Sequence, residues 1–440
     1  MIHGTETSAA ISDLATATLL EQADQTLLHH AGPFPDLVIE RAAGSMVWDR
    51  EGNEYLDFTS GQLCATFGHN RHELRTALLT SFERAVHTGS YFLTEEVVRL
   101  AKELVDLLPE SLSKVTLLST GSEATEVGLK AAKMATGRWE TVGVSRSYHG
   151  HTAGAAAVTF LPRRLGTGPA QIGVHAMPAP YCFRCPLTAE YPACGFACAE
   201  VGFAAIDAQR TGEVAACIIE PILSTGGIIE PPDGYLRHLR TRCDEQGIKL
   251  ILDEAQTGLG RTGEMFAFES HGAVPDVIAL SKSLGGGFPL AAVVMTDEIA
   301  EGAERNGFRF LTSHMNEPSM AMVGLAMVTL ARHHVAMGTA HRQGERLKAA
   351  LWDLVAEFEV AGDVRGRGLL LGLEFVTDDA SRAPAPDVAR DMATACRQRG
   401  LLVQTVSDNV WRIAPPITVS DDEIDRAVSI IRSSLQEREQ

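Results

Sequence analysis

The chain has 440 residues, and its 38 Lys and Arg against 56 Asp and Glu give a formal net charge of −18. This acidic balance excludes nucleic acid and anionic membrane surfaces as expected partners, because both would repel the chain. Apolar residues make up 45% and charged residues 21%, as in ordinary globular proteins, and at roughly 150 residues per domain the length predicts two or three domains.

The N-terminal part of the chain predicts an arm with a small sheet. The segment MIHGTETSAA lacks the basic region and apolar core of a signal peptide, so we expect a cytoplasmic protein. Runs at 37–39 and 45–48 predict short strands, with a turn at 49–53. The longest nearly uncharged apolar stretch, 319–331, is too short to span a bilayer, so no membrane contact is expected.

A candidate phosphate site follows the first predicted core strand, at 115–118. Thr120 and Glu123 have the spacing of a capping box, which predicts that a helix begins there. A helix N-terminus offers unpaired N–H groups and a positive dipole end, which suits a phosphate. Gly121 and Ser122 lie at this position, although a strand, a Gly-Ser turn and a helix are a common combination.

Two features in the middle of the chain can be explained by structure alone, without a functional role. Tyr148 and His149 follow a predicted strand at 141–144, and the residues alone favour a half-buried loop there. Four cysteines further on have the pattern C-x2-C-x8-C-x3-C, which allows a four-thiolate zinc site. The commoner alternative is reduced thiols packed near the surface, and we predict no metal. The four residues are Cys182, Cys185, Cys194 and Cys198.

The stretch 249–287 carries the chemistry. Apolar runs at 250–252 and 277–280 predict buried strands of a parallel sheet. The first ends in Asp253, and the second runs into Lys282 and three glycines. Ligands of open α/β sheets bind beyond the carboxyl ends of the strands, so a carboxylate and an amine should reach one crevice. This pairing suits pyridoxal phosphate, which needs an amine to hold it and an anion to keep its ring nitrogen protonated.

Two other functions have similar local patterns. A strand ending in Asp-Glu is also typical of P-loop NTPases, but the chain has no Gly-Lys pair to complete their phosphate loop. The pattern G-x-G-x-x-G at 258–263 begins too far from the strand for a dinucleotide fingerprint. The stretch alone also leaves open a structural interpretation, in which Lys282 is a solvated loop lysine and Asp253 caps a helix.

The remaining segments predict a further core strand and then a smaller α/β domain. The strand at 214–219 ends in Glu220. The C-terminal part predicts three strands, at 369–375, 401–405 and 410–414, and a last helix that opens with a capping box at 420–423.

The sequence DEAQTGLGRTG (253–263), followed by ALSKSLGGGFPL (279–290), resembles the signature of class III (fold type I) pyridoxal-phosphate aminotransferases, and the resemblance runs from about Phe34 to Leu435. It implies an α/β fold in which a large domain has a mostly parallel seven-stranded sheet and both chain ends build a small domain. We therefore predict an N-terminal arm and part of the small domain at 1–60, a large cofactor-binding domain at 61–325, and a C-terminal small domain at 326–440.

The resemblance also implies roles for individual residues. Lys282 would carry pyridoxal 5'-phosphate as a Schiff base, Asp253 would pair with the pyridine nitrogen, and Gln256 would lie near the phenolic oxygen. Arg412, in RIAPP, would grip a substrate carboxylate through two hydrogen bonds. Further cofactor contacts are implied for Gly121, Ser122, Tyr148, His149 and Glu220, and a substrate contact for Thr225. Ser313 would reach the phosphate of a neighbouring subunit, which implies a homodimer or a dimer of dimers with shared sites.

Within class III, several segments are similar to the dialkylglycine decarboxylases: TSGQ (59–62), EPILSTGGIIE (220–230), GDVRGRGLLLG (362–372) and WRIAPPITVS (411–420). This chain differs from those decarboxylases on the substrate side. Tyr148 stands where they have tryptophan, His151 where they have methionine, and Leu311 where they have tyrosine. Those enzymes also carry an alkali-metal site, whose positions match Ser90, Ser313 and Glu317, the last in place of aspartate.

The resemblance implies an amino acid and a 2-oxo acid as substrates, and decarboxylation-dependent transamination as the reaction. Gln62 would be the polar donor that holds the carboxylate out of the cofactor plane. Three alternatives stay open: a transaminase without decarboxylation, a class III racemase, epimerase or lyase, and a non-catalytic binding protein, against which Lys282 argues.

Overall fold

The computed structural model describes residues 14–30, 32–161, 170–378 and 380–439. The strands are β1 Ile39–Ala43, β2 Met46–Asp49, β3 Glu54–Asp57, β4 Leu112–Leu118, β5 Glu140–Val144, β6 Val174–Met177, β7 Val214–Ile219, β8 Lys249–Asp253, β9 Val277–Leu280, β10 Ala291–Thr296, β11 Ala361–Arg367, β12 Leu370–Phe375, β13 Leu401–Leu402, β14 Gln404–Val406 and β15 Val410–Ile413. The helices are α1 Thr16–Thr26, α2 Ser60–Leu63, α3 His72–Phe82, α4 Glu95–Asp106, α5 Gly121–Thr136, α6 Ala153–Ala157, α7 Ala197–Gln209, α8 Tyr235–Gln246, α9 Phe268–His271, α10 Asp297–Arg305, α11 Pro318–Ala336, α12 Thr339–Glu357, α13 Pro386–Gln398 and α14 Asp421–Glu439.

The central sheet has seven strands in the order β4-β10-β9-β8-β7-β5-β6. Strands β9, β8, β7, β5 and β6 pair in parallel, and β10 alone pairs antiparallel with both of its neighbours. The middle strands β7 and β9 are buried along their whole length, because helices cover both faces of a largely parallel sheet. The mostly parallel seven-stranded sheet predicted from the resemblance is confirmed.

The register of β8 and β9 decides where the chemistry lies. Asp253, the last residue of β8, is paired with Ala279 of β9, and Lys282 follows two residues after β9 ends. The carboxyl ends of the two strands are therefore adjacent, so that a carboxylate and an amine leave the sheet side by side.

The smaller domain is built from the two ends of the chain. One sheet has the order β11-β12-β15-β14, and a second has the order β1-β2-β3-β13. In the second sheet β13 pairs in parallel with β3, with Leu401 opposite Leu56, which joins the C-terminal part to the N-terminal part. The boundary placed between residues 325 and 326 falls within α11, and the domain limits stay predictions.

The predictions of a cytoplasmic location and of no membrane contact depend on the N-terminus and on the lengths of the apolar helices. Residues 1–13, including MIHGTETSAA, lie outside the described residues, so the cytoplasmic location stays a prediction. Within the described ranges no single helix is long and apolar enough to cross a bilayer; α11 and α12, bent by 63° relative to each other, meet that test of length and composition only as a pair.

Candidate active site

A cavity of about 190 Å³ lies where the ends of β8 and β9 meet the N-terminus of α5. Asp253 and Lys282 both line it. Its other lining residues are Thr120, Gly121, Ser122, Tyr148, His149, Gly150, Ala255, Gln256 and Ser281. The fold thus brings together, from four separate segments, most of the residues that the resemblance selected as cofactor contacts.

Lys282 opens a short 3-10 turn, Lys282–Leu284, and its backbone has a φ of 45°. A left-handed conformation is uncommon for a residue with a long side chain, and such strain is typical of functional sites. Burial lowers the pKa of the Lys282 amine, an effect that the neighbouring Asp253 carboxylate opposes. A lowered pKa makes the neutral, nucleophilic amine more accessible at neutral pH.

The Asp253 carboxylate is held on both oxygens. Its Oδ2 lies 2.8 Å from Nδ1 of His149, and its Oδ1 accepts the N–H of Ala255 at 3.1 Å. The His149 side chain is fully buried, and its Nε2 has no hydrogen-bond partner among the residues that the structure describes. His149 therefore orients Asp253 in the cavity wall, and its Nε2 is a buried polar atom left without a partner among the described residues.

The N-terminus of α5 forms the predicted capping box. The Thr120 hydroxyl accepts the N–H of Glu123 at 3.2 Å, and the Glu123 carboxylate accepts the N–H of Thr120 at 3.0 Å. The box leaves the N–H groups of Gly121 and Ser122 outside it, at the positive end of the helix. A Cβ at Gly121 would lie 2.8 Å from the hydroxyl of Ser281, which directly follows β9, so that side chain would have to shift to admit any residue larger than glycine.

Glu220 does not line the cavity itself but lies behind Tyr148 and Gln256, which do. Tyr148 is half-buried, and its backbone N–H donates to the Glu220 carboxylate at 2.9 Å. Glu220 also accepts the N–H of Ser224 at 3.2 Å and the side-chain amide of Gln256 at 3.3 Å. Burial raises the pKa of Glu220 to about 7, so this carboxyl titrates near neutral pH.

Arg412, on β15, lies beside the cavity with amide oxygens around its guanidinium. Its Nη1 donates to Gln256 at 2.8 Å, and its Nη2 donates to Gln62 at 2.5 Å and also to Gln404. Burial lowers the pKa of Arg412 to about 10, and Nε has no partner within the described ranges. Thr225 is close by, since its hydroxyl accepts from Gln256 at 3.3 Å. The guanidinium thus contacts three amide oxygens and leaves Nε without a partner in the part of the chain that the structure describes.

Gln404 is the site residue that the sequence analysis missed. It lies on β14 directly opposite Arg412 in the antiparallel pairing of β14 with β15. Its amide oxygen and that of Gln62 share one guanidinium nitrogen. A signal existed, because facing residues on neighbouring strands form cross-strand pairs. The sequence predicted one strand at 401–405, however, whereas the structure has two, β13 and β14, in different sheets.

A class-III aminotransferase family model matches residues 28–435, nearly the whole chain. The chain belongs to the class-III aminotransferase family. It is 41% identical, over 96% of both chains, to an uncharacterized aminotransferase of Schizosaccharomyces pombe, and 33% identical, over 92% of both, to a leucine/methionine racemase of Thermococcus litoralis. The structure of a pyridoxal-phosphate-bound amine transaminase from an uncultivated Pseudomonas species matches with a TM-score of 0.87 and 28% identity, over 94% of this chain and 98% of that one.

Class-III aminotransferases depend on pyridoxal 5'-phosphate, and this is the cofactor of the chain. The cavity fits it. An amine and a carboxylate line one wall, a helix N-terminus without a side chain at Gly121 faces another, and the buried Nε2 of His149 is left unpaired. The closeness to dialkylglycine decarboxylases, in contrast, rests only on the sequence segments quoted above.

Two predicted sites lie away from this cavity in the aminotransferase. Ser313 is exposed, between α10 and α11, and does not line the cavity of its own chain. The four clustered cysteines form no disulfide and line a second, small cavity of about 20 Å³. Burial raises the pKa of Cys182, and that of Cys198 to about 11, which keeps these thiols protonated at neutral pH. Packed thiols in place of zinc stay a prediction.

Proposed function

We propose that this class-III aminotransferase exchanges the amino group of an amino acid with a 2-oxo acid, and that Arg412 binds the substrate carboxylate. The observation that carries the proposal is the buried guanidinium beside the Lys282 cavity, which contacts three amide oxygens and no carboxylate of the described residues. A buried cation without an anion is costly, so a substrate carboxylate would supply the missing charge.

The residues of the cavity take roles that follow from their contacts. The cofactor, when bound, supplies an electron sink for the carbanion at Cα. Lys282 holds the cofactor and moves the proton at Cα, for which its lowered pKa suits it. Asp253, oriented by His149, keeps the ring nitrogen protonated. The Gly121 and Ser122 N–H groups bind the phosphate, and Tyr148 stacks on the ring.

Gln62 is the residue on which the choice of reaction depends. Arg412 has only donors, so Gln62 must face it with its amide oxygen, as observed. The amide N–H groups of Gln62 then point away from Arg412, and they donate no hydrogen bond to another described residue. A bond to Cα breaks readily only when it stands perpendicular to the ring plane. A donor that holds the carboxylate perpendicular favours loss of carbon dioxide, which makes decarboxylating transamination a second candidate.

The substrate 2-methylalanine separates the two candidates because it has no Cα hydrogen. With pyruvate as acceptor, a decarboxylating transaminase should give carbon dioxide and acetone, whereas a transaminase without decarboxylation should give neither. Gln62→Ala should lower this activity roughly 10- to 100-fold, since a hydrogen bond to a charged group contributes about 1.5–3 kcal/mol. Carbon dioxide, acetone and alanine are measured together in each assay.

Gln404→Ala is the matched control, because it removes the other amide that accepts from the same guanidinium nitrogen. The proposal gives Gln404 no contact with the group that leaves Cα. It should weaken substrate binding, seen as a higher KM, and leave the rate of carbon dioxide release at saturating 2-methylalanine close to that of the wild type. If L-alanine is transaminated while 2-methylalanine releases no carbon dioxide, the plain transaminase stands. Conversion of L-alanine to D-alanine without a 2-oxo acid would instead favour a racemase.

We further propose that the active site is shared in a homodimer. Tyr91, Phe92 and Leu93, in the segment between α3 and α4, are 79%, 67% and 76% exposed, and Leu311 is 59% exposed. Large exposed apolar side chains of this kind are typical of association surfaces. Contacts of His87 with Glu317 join the α3–α4 segment to the segment that carries Ser313.

A shared site predicts complementation between two inactive variants. Lys282→Ala removes the amine, and Ser313→Glu places a negative charge where Ser313 would meet the partner's phosphate. A mixed dimer would carry both defects in one site and none in the other. Random mixing should then restore about a quarter of wild-type activity, since half of the dimers are mixed and each has one intact site. Differently tagged subunits verify that mixed dimers form. Mixed dimers without activity would count against a shared site.

A further inference from the structure

A cluster of two histidines and a glutamate lies outside the cavity described above. Nδ1 of His87 is 2.8 Å from both oxygens of the Glu317 carboxylate, and Nδ1 of His314 is 2.7 Å from one of them. The donor atoms of the three side chains all lie within 4.8 Å of one another. The Glu317 side chain is 9% exposed, whereas those of His87 and His314 are 50% and 69% exposed. The cluster thus has a buried anion and an open side.

We propose that His87, His314 and Glu317 bind one divalent first-row transition-metal ion. Two imidazole nitrogens and one carboxylate are a donor set that zinc uses with three protein ligands and one open position. Tetrahedral ligand atoms at about 2.0–2.1 Å from zinc lie about 3.3 Å apart, so the nitrogen–oxygen separations of 2.7–2.8 Å here would lengthen by roughly half an ångström around an ion. Hard cations prefer oxygen, so the donors disfavour the alkali metal that resemblance suggested for Glu317.

The surroundings leave room for further ligands on the metal. The three side chains line a cavity of about 370 Å³, together with Ser119 and Met320 among others. The open position can therefore take water or a small donor, as in zinc sites with three protein ligands. His87 lies between α3 and α4, and His314 lies between α10 and α11. A shared ion would link these two segments.

The position of the cluster gives the ion a structural consequence. Ser119 lies two residues before Gly121, and its hydroxyl is 3.5 Å from the backbone carbonyl of His314. A bound ion would fix the segment that carries Ser313 against the start of α5. Without an ion, the two imidazoles can hydrogen-bond directly to the carboxylate, which is the alternative that an experiment must separate.

Zinc binding to the purified holoenzyme tests the proposal directly. Competition with a chromophoric chelator should give one Zn²⁺ per chain in this site. His87→Ala and His314→Ala should each weaken its affinity by more than the ~10–100-fold that changes around metal ligands cost. Co²⁺ provides a second readout, because its visible absorption bands report nitrogen and oxygen ligation and should be lost in both variants.

Controls isolate this site from the other metal-binding side chains. His333→Ala removes an exposed histidine at the far end of α11 and should leave Zn²⁺ affinity unchanged. Cys182→Ser should leave the Co²⁺ bands of the histidine site unchanged. Thermal unfolding without metal checks that each variant folds, and asparagine replaces alanine at either histidine where it does not. Equal Zn²⁺ affinity and equal Co²⁺ spectra in wild type and both histidine variants would overturn the proposal and leave a hydrogen-bonded cluster.

Discussion

Lys282→Ala should abolish turnover while the protein still binds its cofactor noncovalently. Proton transfer by a positioned group alone contributes about 10²–10⁴-fold to a rate, and covalent attachment is lost as well. Asp253, the N-terminus of α5 and Tyr148 remain in place, so the cavity keeps its other contacts. Activity is measured by oxo acid formation, and cofactor retention by absorbance after gel filtration.

Two controls make the Lys282 result specific. Lys249→Ala changes a lysine at the opposite end of β8, where its amine pairs with Glu298 at 2.8 Å, and it should leave activity unchanged. Borohydride reduction of the wild-type enzyme, followed by peptide mapping, should place the cofactor on Lys282 alone. Stable attachment at a different lysine would refute the assignment.

Asp253→Asn should lower turnover about 10²–10³-fold and change the thermal unfolding temperature little. The variant removes the negative charge that keeps the ring nitrogen protonated, and preorganised charges of this kind contribute about 3–4 kcal/mol elsewhere. Asparagine has nearly the same shape, so the contact with His149 and the N–H of Ala255 can persist. The kcat value, the thermal unfolding temperature and the cofactor absorbance are compared with wild type.

Glu254→Gln is the matched control for Asp253→Asn. Glu254 is the next residue in the chain, but its carboxyl is turned into the protein, where it accepts the N–H groups of Ala267 and Phe268 at 3.1 and 2.9 Å. Burial raises its pKa to about 7, and glutamine removes its charge while keeping one oxygen to accept an N–H group. The amide NH2 cannot accept the second N–H group, so the thermal unfolding temperature should fall. This variant should keep near-normal turnover. Near-normal turnover in Asp253→Asn as well would make Asp253 a structural residue only.

Local patterns in the sequence were sufficient for the elements around the site. The apolar run 277–280 corresponds to β9, and the run 250–252 lies within β8. The spacing of Thr120 and Glu123 predicted a capping box that the structure contains. These predictions succeed because burial, periodicity and helix capping are decided within a few neighbouring residues. The antiparallel strand β10 was not predicted, because its direction depends on the path of the chain between distant strands.

The sequence by itself determined the family, the cofactor and the two strand ends that carry Asp253 and Lys282, because a long motif and two buried strands are local properties of the chain. Only the tertiary structure decided which side chains meet across long separations. His149 lies 104 positions before Asp253, Gln62 lies 350 positions before Arg412, and His87 lies 230 positions before Glu317. Such contacts depend on sheet register and on the approach of separate segments, and no periodicity within either partner's own segment encodes them.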